Sequence, residues 1–397
     1  MHILFLLEYF KPHVWWAETL FDNVIAGLVV RGYDVIVLTS KYTEHLASHE
    51  TISYDGKDVT VHRVGHNRYD FMRYGLWKAM RLLKKHDIDL VQTTTFNAAL
   101  VAGILRLFVK IPTVLHVHEV YVQLRYTFFW GKGFFYRWFE RLIFRFTFDH
   151  YTCSSLYTKN SLRLLFGIPD RKLTTTYCGI DYELRDAQTV DHQEIAVLRT
   201  QYQLEDAYVG LYFGRPGIAK GLLDYLEAIP EIVSKIPQFK AFLIVPKTEQ
   251  SHVGIISSTT PNDEVGQLIA RLGITEQVIW IDSVKYTELK NYVMMADVVV
   301  LPTMAEWFGL AIAEVCALQK PLVTTNVGTV PEVVGGQVQL VEPANHRDIA
   351  RGVVEIWQGE VASLPKKEFL RNDCVEKFIS VYTLNNPQRI ILNKEKG

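Results

Sequence analysis

The chain reads as an α/β protein of two domains, each a parallel sheet covered on both faces by helices. Its 397 residues exceed what one hydrophobic core usually fills, so two domains of about 180 to 200 residues are expected. Short apolar runs alternate with helical periodicity from the first residues onward, and the same alternation starts afresh after a polar stretch near the middle. With 49% apolar and 21% charged residues, the composition is that of a chain that folds throughout.

The first series begins with the apolar run Ile3 to Leu7, a helical pattern from about Ala17 to Val30, and the strand-like Asp34 to Thr39, which together make a βαβ unit. Ile88 to Gln92, Thr113 to Val117 and His150 to Cys153 continue it with helices between, the pattern of a sheet buried on both faces. A second series runs through Tyr208 to Phe213, Ala241 to Val245, Val278 to Ile281, Val298 to Leu301 and Leu322 to Thr324. Tyr182 to Ala207 is polar and charged, and Val190 to Glu194 reads as an exposed connector leading into a helix. The expected division is therefore residues 1–190, residues 191–375, and a terminal segment, 376–397, that could cross back onto the first domain. Helices are expected near His346 to Gln358 and Lys366 to Tyr382, and Asn393 to Gly397 as a frayed tail.

Several classes are excluded. A net charge of −1 gives no global pull toward nucleic acid, so local clusters matter more than the total. Cys153, Cys178, Cys316 and Cys374 form no Cys-x-x-Cys pair and fit reduced thiols of a cytoplasmic protein. Glu8 interrupts the apolar start, which favours a buried strand over a signal peptide, and no run approaches the ~20 apolar residues of a membrane span. No Gly-x-Gly-x-x-Gly follows the first strand and no Gly-x4-Gly-Lys-[Ser/Thr] occurs, which argues against dinucleotide oxidoreductases and P-loop enzymes. Asp87-Ile88-Asp89 imitates a metal-binding Asp-x-Asp but precedes its strand, so a solvated turn is the better reading and no metal site is expected. The aromatic and basic stretch Arg125 to Phe139, continued by Arg141 and Arg145, suits an anionic membrane surface, as does Arg73 to Lys85; the competing reading is helices packed on the sheet.

The informative segment is Thr303 to Glu314, a strand-to-helix junction carrying Glu306 and Glu314 with seven residues between them. Such a junction lies at the carboxyl edge of an α/β sheet, where the helix amino end offers N–H groups to phosphate near Gly309 and Leu310. Glu314 is placed to meet ribose hydroxyls and Glu306 to meet sugar hydroxyls, with Phe308 in the same binding loop. Phe213 to Gly221 follows the first strand of this domain, so Arg215 and Lys220 should emerge at the same edge and face a diphosphate. Their charges can stabilise a departing nucleoside diphosphate in place of a metal ion.

These motifs resemble family 4 of the retaining glycosyltransferases, a group with the GT-B fold of two Rossmann-like domains facing a cleft. The resemblance rests on Glu306 to Glu314 as its Glu-x7-Glu motif and Gly214 to Gly221 as its Gly-Arg-x4-Lys-Gly motif. It extends to Asn326 to Glu332, similar to its Gly-Gly-x-Pro-Glu turn, and to Cys178 to Asp181, similar to its Asn-Gly-[Ile/Val]-Asp turn. It implies a cytoplasmic-side hexosyltransferase that needs no cofactor or metal. The donor would be a UDP- or GDP-sugar held mainly by the second domain, the acceptor a carbohydrate or lipid-linked molecule met by the first. It also implies that His118, just after the strand Thr113 to Val117, borders the donor sugar and joins Glu306, Arg215 and Lys220 as the catalytic set, with His116 a core neighbour.

The chain departs from the family pattern in four places. Trp15-Trp16 stand where relatives carry a Gly-Gly pair on the acceptor side, a change that crowds the space or builds an aromatic platform. Trp307 and Thr329 replace two further glycines, and Val245-Pro246-Lys247 replaces a glycine-rich turn. The alternative they leave open is a nucleotide-sugar-binding protein that kept the cleft but lost transfer.

Overall fold

The computed structural model describes residues 1–13, 16–66, 70–120, 133–182, 185–215, 218–246, 262–361 and 363–386. The chain divides into two compact units, one of Met1–Gly179 with the chain from Phe369 onward, the other of Ile180–Glu368. Trp15, Lys247, residues 125–132 and the tail from Asn393 lie outside the described residues.

In the first unit the strands are β1 (His2–Leu6), β2 (Asp34–Ser40), β3 (His49–Tyr54), β4 (Lys57–Val64), β5 (Leu90–Thr94), β6 (Thr113–Val117), β7 (His150–Cys153) and β8 (Leu173–Thr175). They line up as β3-β4-β2-β1-β5-β6-β7-β8, parallel except for the β3–β4 hairpin. Asp55 and Gly56 turn that hairpin with φ of 50° and 75°, the left-handed pair that suits the twist of two short strands. The crossovers are α1 (Trp16–Val30), α2 (Asp70–Lys85), α3 (Asn97–Leu105), α4 (Gly133–Arg145) and α5 (Leu156–Phe166). Helix α1 buries Leu20, Phe21, Val24, Ile25 and Leu28, a stripe at helical spacing. Phe71, Ala79 and Leu82 of α2, Ala98 and Val101 of α3 and Ile143 of α4 pack with Leu4, Leu6, Leu115 and Val117 of the sheet. Each large side chain so buried contributes about 1.5–3 kcal/mol.

The second unit repeats the plan with α6 (His192–Gln201), β9 (Tyr208–Phe213), α7 (Leu222–Lys235), β10 (Phe239–Ile244), α8 (Asn262–Leu272), β11 (Val278–Ile281), α9 (Leu289–Met295), β12 (Val298–Leu301), α10 (Leu310–Ala317), β13 (Leu322–Thr325), α11 (Val330–Val333), β14 (Gly336–Val341), α12 (His346–Gln358) and β15 (Ser363–Leu364). Its strand order is β11-β10-β9-β12-β13-β14-β15, parallel but for β14–β15. The chain then returns to the first unit as α13 (Arg371–Asn385). Helix α13 lies so close to α1 that a β-carbon on Gly27 would sit 2.7 Å from a methyl of Val375. Its Tyr382 hydroxyl bonds Gln92 Oε1 of β5 at 2.9 Å, and Arg31 pairs with Glu376 at 2.9 Å.

Two readings of the sequence need correction. Asp191 to Glu194 are exposed and lead into a helix as expected, but Arg185 is 1% and Val190 6% exposed, and the second unit begins at Ile180 rather than near residue 190. Asp87 is exposed, but Asp89 is buried and accepts the His2 backbone N–H at 2.8 Å, so half of the Asp-x-Asp fastens the start of β1 instead of forming a solvated turn. No helix among the described residues is long and apolar enough to cross a membrane. Cys153, Cys178 and Cys374 are buried thiols, and burial pushes Cys374 up to about 12, which makes it inert.

Burial also depresses four imidazoles of the first unit: His116 to about 3, His62 and His150 to about 4, and His118 well below the ordinary 6.5. Below pH 6.5 the unfolded chain takes up protons that the folded unit refuses, so stability falls on acidification. The expected slope between pH 6.5 and 5 approaches about 1.4 kcal/mol per pH unit for each such imidazole. Urea unfolding followed across that window checks it, and a flat profile would show that these rings are protonated in the folded unit.

Candidate functional site

In the second unit the chain leaves β9 toward β10 by α7, and later returns past β9 to β12, so the strand order reverses between β9 and β12. In such a sheet ligands bind outside the carboxyl ends of the strands at that reversal. The loops that emerge there are residues 214–221 after β9 and residues 302–309 after β12.

Glycine lets these loops meet. Gly221 has φ +68°, and a β-carbon there would lie 1.9 Å from the Pro302 carbonyl oxygen. Met304 N–H donates to Ala219 O at 2.9 Å, and the Thr303 hydroxyl bonds the same carbonyl at 2.9 Å. On the other flank, a β-carbon on Gly328 (φ +51°) would lie 2.4 Å from Glu306 O. The Thr329 hydroxyl donates to Phe308 O at 3.0 Å, so this buried threonine ties two loops. Trp307 is not among the residues with positive φ; the left-handed position of the loop is Gly309, at +84°, so the indole causes no backbone strain.

The result is a preset pair of opposite charges. Lys220 Nζ lies 2.7 Å from Glu306 Oε2, with the lysine side chain 37% and the glutamate 12% exposed. Glu306 Oε1 also accepts the Trp307 N–H at 3.3 Å. Arg215 is exposed on the same 214–221 loop. Phe308 is buried at 2%, and Gly309 caps the amino end of α10 without a side-chain hydrogen bond. Leu310 opens that helix, leaving its first N–H groups able to meet an anion.

Glu314 lies one turn further along, about 6 Å from Leu310 along the axis, and is 7% exposed. Its two oxygens are held from different parts of the unit. Arg185 Nη2 donates to Oε2 at 3.2 Å, and the Tyr286 hydroxyl donates to Oε1 at 2.5 Å. The Arg185 guanidinium also lies over the Tyr286 ring, 4.3 Å from its centroid. Neither residue was singled out from the sequence, where nothing marks a lone arginine 129 positions from its carboxylate partner.

In the first unit, His118 follows β6 and is 4% exposed. Its ring meets His116 edge-on at 4.5 Å and Phe21 at 5.8 Å, and its carbonyl accepts the Ser154 hydroxyl at 2.6 Å. Burial, with His116 adding to it, keeps His118 neutral at ordinary pH. It can therefore exchange hydrogen bonds but carries no charge. His116 bonds Thr152 Oγ1 at 2.9 Å and is a core residue. Glu8, used above only to exclude a signal peptide, is buried at 7% at the strand reversal of this unit, where the Asn97 N–H reaches its carboxylate at 3.2 Å. Trp15 lies outside the described residues, and Trp16 is described only as the first residue of α1.

Two Rossmann-like units, the second with a charged strand-reversal site, define a protein of the GT-B class. Residues 17–184 match the model of Glycosyltransferase Family 4, and residues 196–372 match that of Glycosyl transferases group 1. The chain is a GT-B glycosyltransferase of the family 4 type. It is 24% identical over 386 residues to an uncharacterized glycosyltransferase of Methanocaldococcus jannaschii, covering 93% of this chain and 91% of that one. Among solved structures, a glycosyltransferase from Rickettsia africae superposes with a TM-score of 0.74 at 16% identity, covering 97% of this chain and 98% of that one. The Anabaena protein HepE, in complex with UDP, does so with a TM-score of 0.66 at 19% identity over 100% of both chains.

Because the Gly221 contact is with backbone, Gly221→Ala cannot be absorbed by a side-chain shift. The expected loss of stability is about 3 kcal/mol or more, combining left-handed strain with overpacking. Thermal unfolding measures it, and a variant as stable as the parent would show that the two loops do not meet this closely.

Proposed function

We propose that the protein is a retaining, metal-independent hexosyltransferase that uses a UDP- or GDP-sugar. The observation that carries this reading is the Lys220–Glu306 contact at the strand reversal of the second unit, 2.7 Å long, made from a loop that also carries the exposed Arg215. The lysine rests on the carboxylate; with a donor bound it turns to the diphosphate and leaves Glu306 to the sugar hydroxyls. As the bond from the anomeric carbon to the phosphate oxygen breaks, the electron pair leaves with the nucleoside diphosphate. Arg215, Lys220 and the N–H groups after Gly309 stabilise that charge, each cation lowering the barrier by about 2–4 kcal/mol. The acceptor oxygen bonds the same face of the anomeric carbon, and its proton passes to the departing phosphate. Neutral His118 contributes hydrogen bonding to the sugar. The complexes of HepE with UDP and with UDP-glucose support a uridine donor as the first to test.

The acceptor is proposed to be lipid-linked, met by the first unit from the cytoplasmic face of a membrane. Helices α2 and α4 expose Tyr74, Trp77 and Trp138, and the turn after α3 exposes Leu107 and Phe108, with Trp77 66% and Phe108 68% exposed. Arg73, Arg81, Lys84, Lys85, Arg141 and Arg145 are exposed on the same helices. No acid occurs from Phe71 to His86, and the acids from Asn97 to Phe148, Glu119 and Glu140, are buried. Aromatic rings and basic groups without exposed acids suit anionic headgroups, each basic residue contributing about 1 kcal/mol near the surface.

Calorimetric titration with UDP-glucose, UDP-GlcNAc and GDP-mannose, in the presence of a chelator, tests the donor. One donor is expected to bind, and Arg215→Ala to weaken it at least tenfold. Glu306→Gln is expected to abolish transfer while sparing nucleoside diphosphate affinity; equal loss of both would contradict its assignment to the sugar. Binding without turnover on any membrane or carbohydrate acceptor would instead identify a protein that kept the site and lost the reaction.

Co-sedimentation with phosphatidylglycerol vesicles is expected, and with neutral phosphatidylcholine vesicles is not. Trp77→Ala with Lys84→Glu should release the protein; equal retention would mean that α2 does not face the lipid.

A further inference from the structure

We infer that Arg185 and Tyr286 are positioning residues that aim the Glu314 carboxylate at a pair of adjacent ribose hydroxyls. This rests on the proposed use of Glu314 for a nucleotide ribose and goes beyond it by assigning the groups that make such recognition work. A carboxylate has about four lone-pair positions, two on each oxygen. Arg185 occupies a position on Oε2 and Tyr286 a position on Oε1, which leaves each oxygen able to accept one more donor. Two acceptors fixed side by side match a cis-diol.

The geometry fits a preset receptor better than a stability device. The side chains of Arg185 and Glu314 are 1% and 9% exposed, and a buried ion pair contributes little over a well-packed apolar pair. Arg185 also donates to the Tyr286 carbonyl at 3.4 Å and stacks on its ring, so one guanidinium holds both the carboxylate and the other donor to it. Tyr286, by contrast, is 50% exposed, which places the open side of the cluster at the β11–α9 loop, on the carboxyl edge of the sheet. Fixing the carboxylate before binding removes a rotamer cost that the nucleotide would otherwise have to offset.

The test is affinity by calorimetry for UDP and GDP beside their 2′-deoxy and 3′-deoxy forms. Tyr286→Phe deletes one oxygen from a half-exposed ring and leaves the ring and Arg185 in place; Arg185→Lys is the second variant. Each is expected to weaken the ribonucleotide that binds by about tenfold, the scale of a lost hydrogen bond to a charged group, and the deoxy forms by less than twofold. In turnover the loss should fall on the donor KM more than on kcat. If Tyr286→Phe weakens ribo and deoxy forms equally, or neither, the positioning role is wrong. Glu314→Gln separates this from the underlying reading: if it too fails to distinguish ribo from deoxy forms, Glu314 does not bind ribose and the inference falls with it. If Glu314→Gln distinguishes them and Tyr286→Phe does not, only the positioning role is lost.

Discussion

The charged site of the second unit depends on two places where a β-carbon cannot fit. At Gly221 the 214–221 loop presses against the Pro302 carbonyl, and at Gly328 the 326–329 turn presses against the carbonyl of Glu306. Between these contacts, the loop carrying Glu306 has backbone on both sides. That confinement keeps a lysine and a glutamate, 86 residues apart, at 2.7 Å without burying either completely. An electrostatic site is useful when its charges are fixed before the ligand arrives, since no reorganisation is then needed as charge develops.

The same economy explains how the chain tolerates its departures from the family pattern in the second unit. Thr329 has φ −91°, so the backbone there does not need glycine, and its hydroxyl adds a tie to Phe308. Gly309 keeps the left-handed position at the start of α10, which frees Trp307 from any such demand.

What the sequence made legible follows burial. Strands β1, β5, β6 and β7 are buried along almost their whole length; β1 reads as an apolar run, β5 to β7 mix apolar residues with Gln, Thr and His, and the repeat of such short segments between helical patterns disclosed two sheets. The β3–β4 hairpin escaped because β3 lies at an edge and its burial alternates between exposed and half-buried, and β8 is too short to read. Lys220, Glu306, Gly309 and Glu314 were legible because each sits in a short motif at a strand end. Arg185 and Tyr286 were not, because they reach Glu314 only through the fold, from 129 and 28 positions away. The polar stretch around Arg185 looked like a connector for the same reason: its buried charge has no local signature.

In the proposed function the second unit is a receptor whose parts each have a place along one nucleotide: cations and helix N–H groups for the diphosphate, Glu314 for the ribose, Glu306 for the sugar. A crystal structure with UDP-glucose or GDP-mannose bound in the absence of divalent metal tests that claim most directly. The expected result is the diphosphate against Arg215, Lys220 and the N–H groups after Gly309, with both ribose hydroxyls on Glu314 while Arg185 still holds it. A donor bound elsewhere, or bound here with Glu314 turned away from the ribose, would contradict the account.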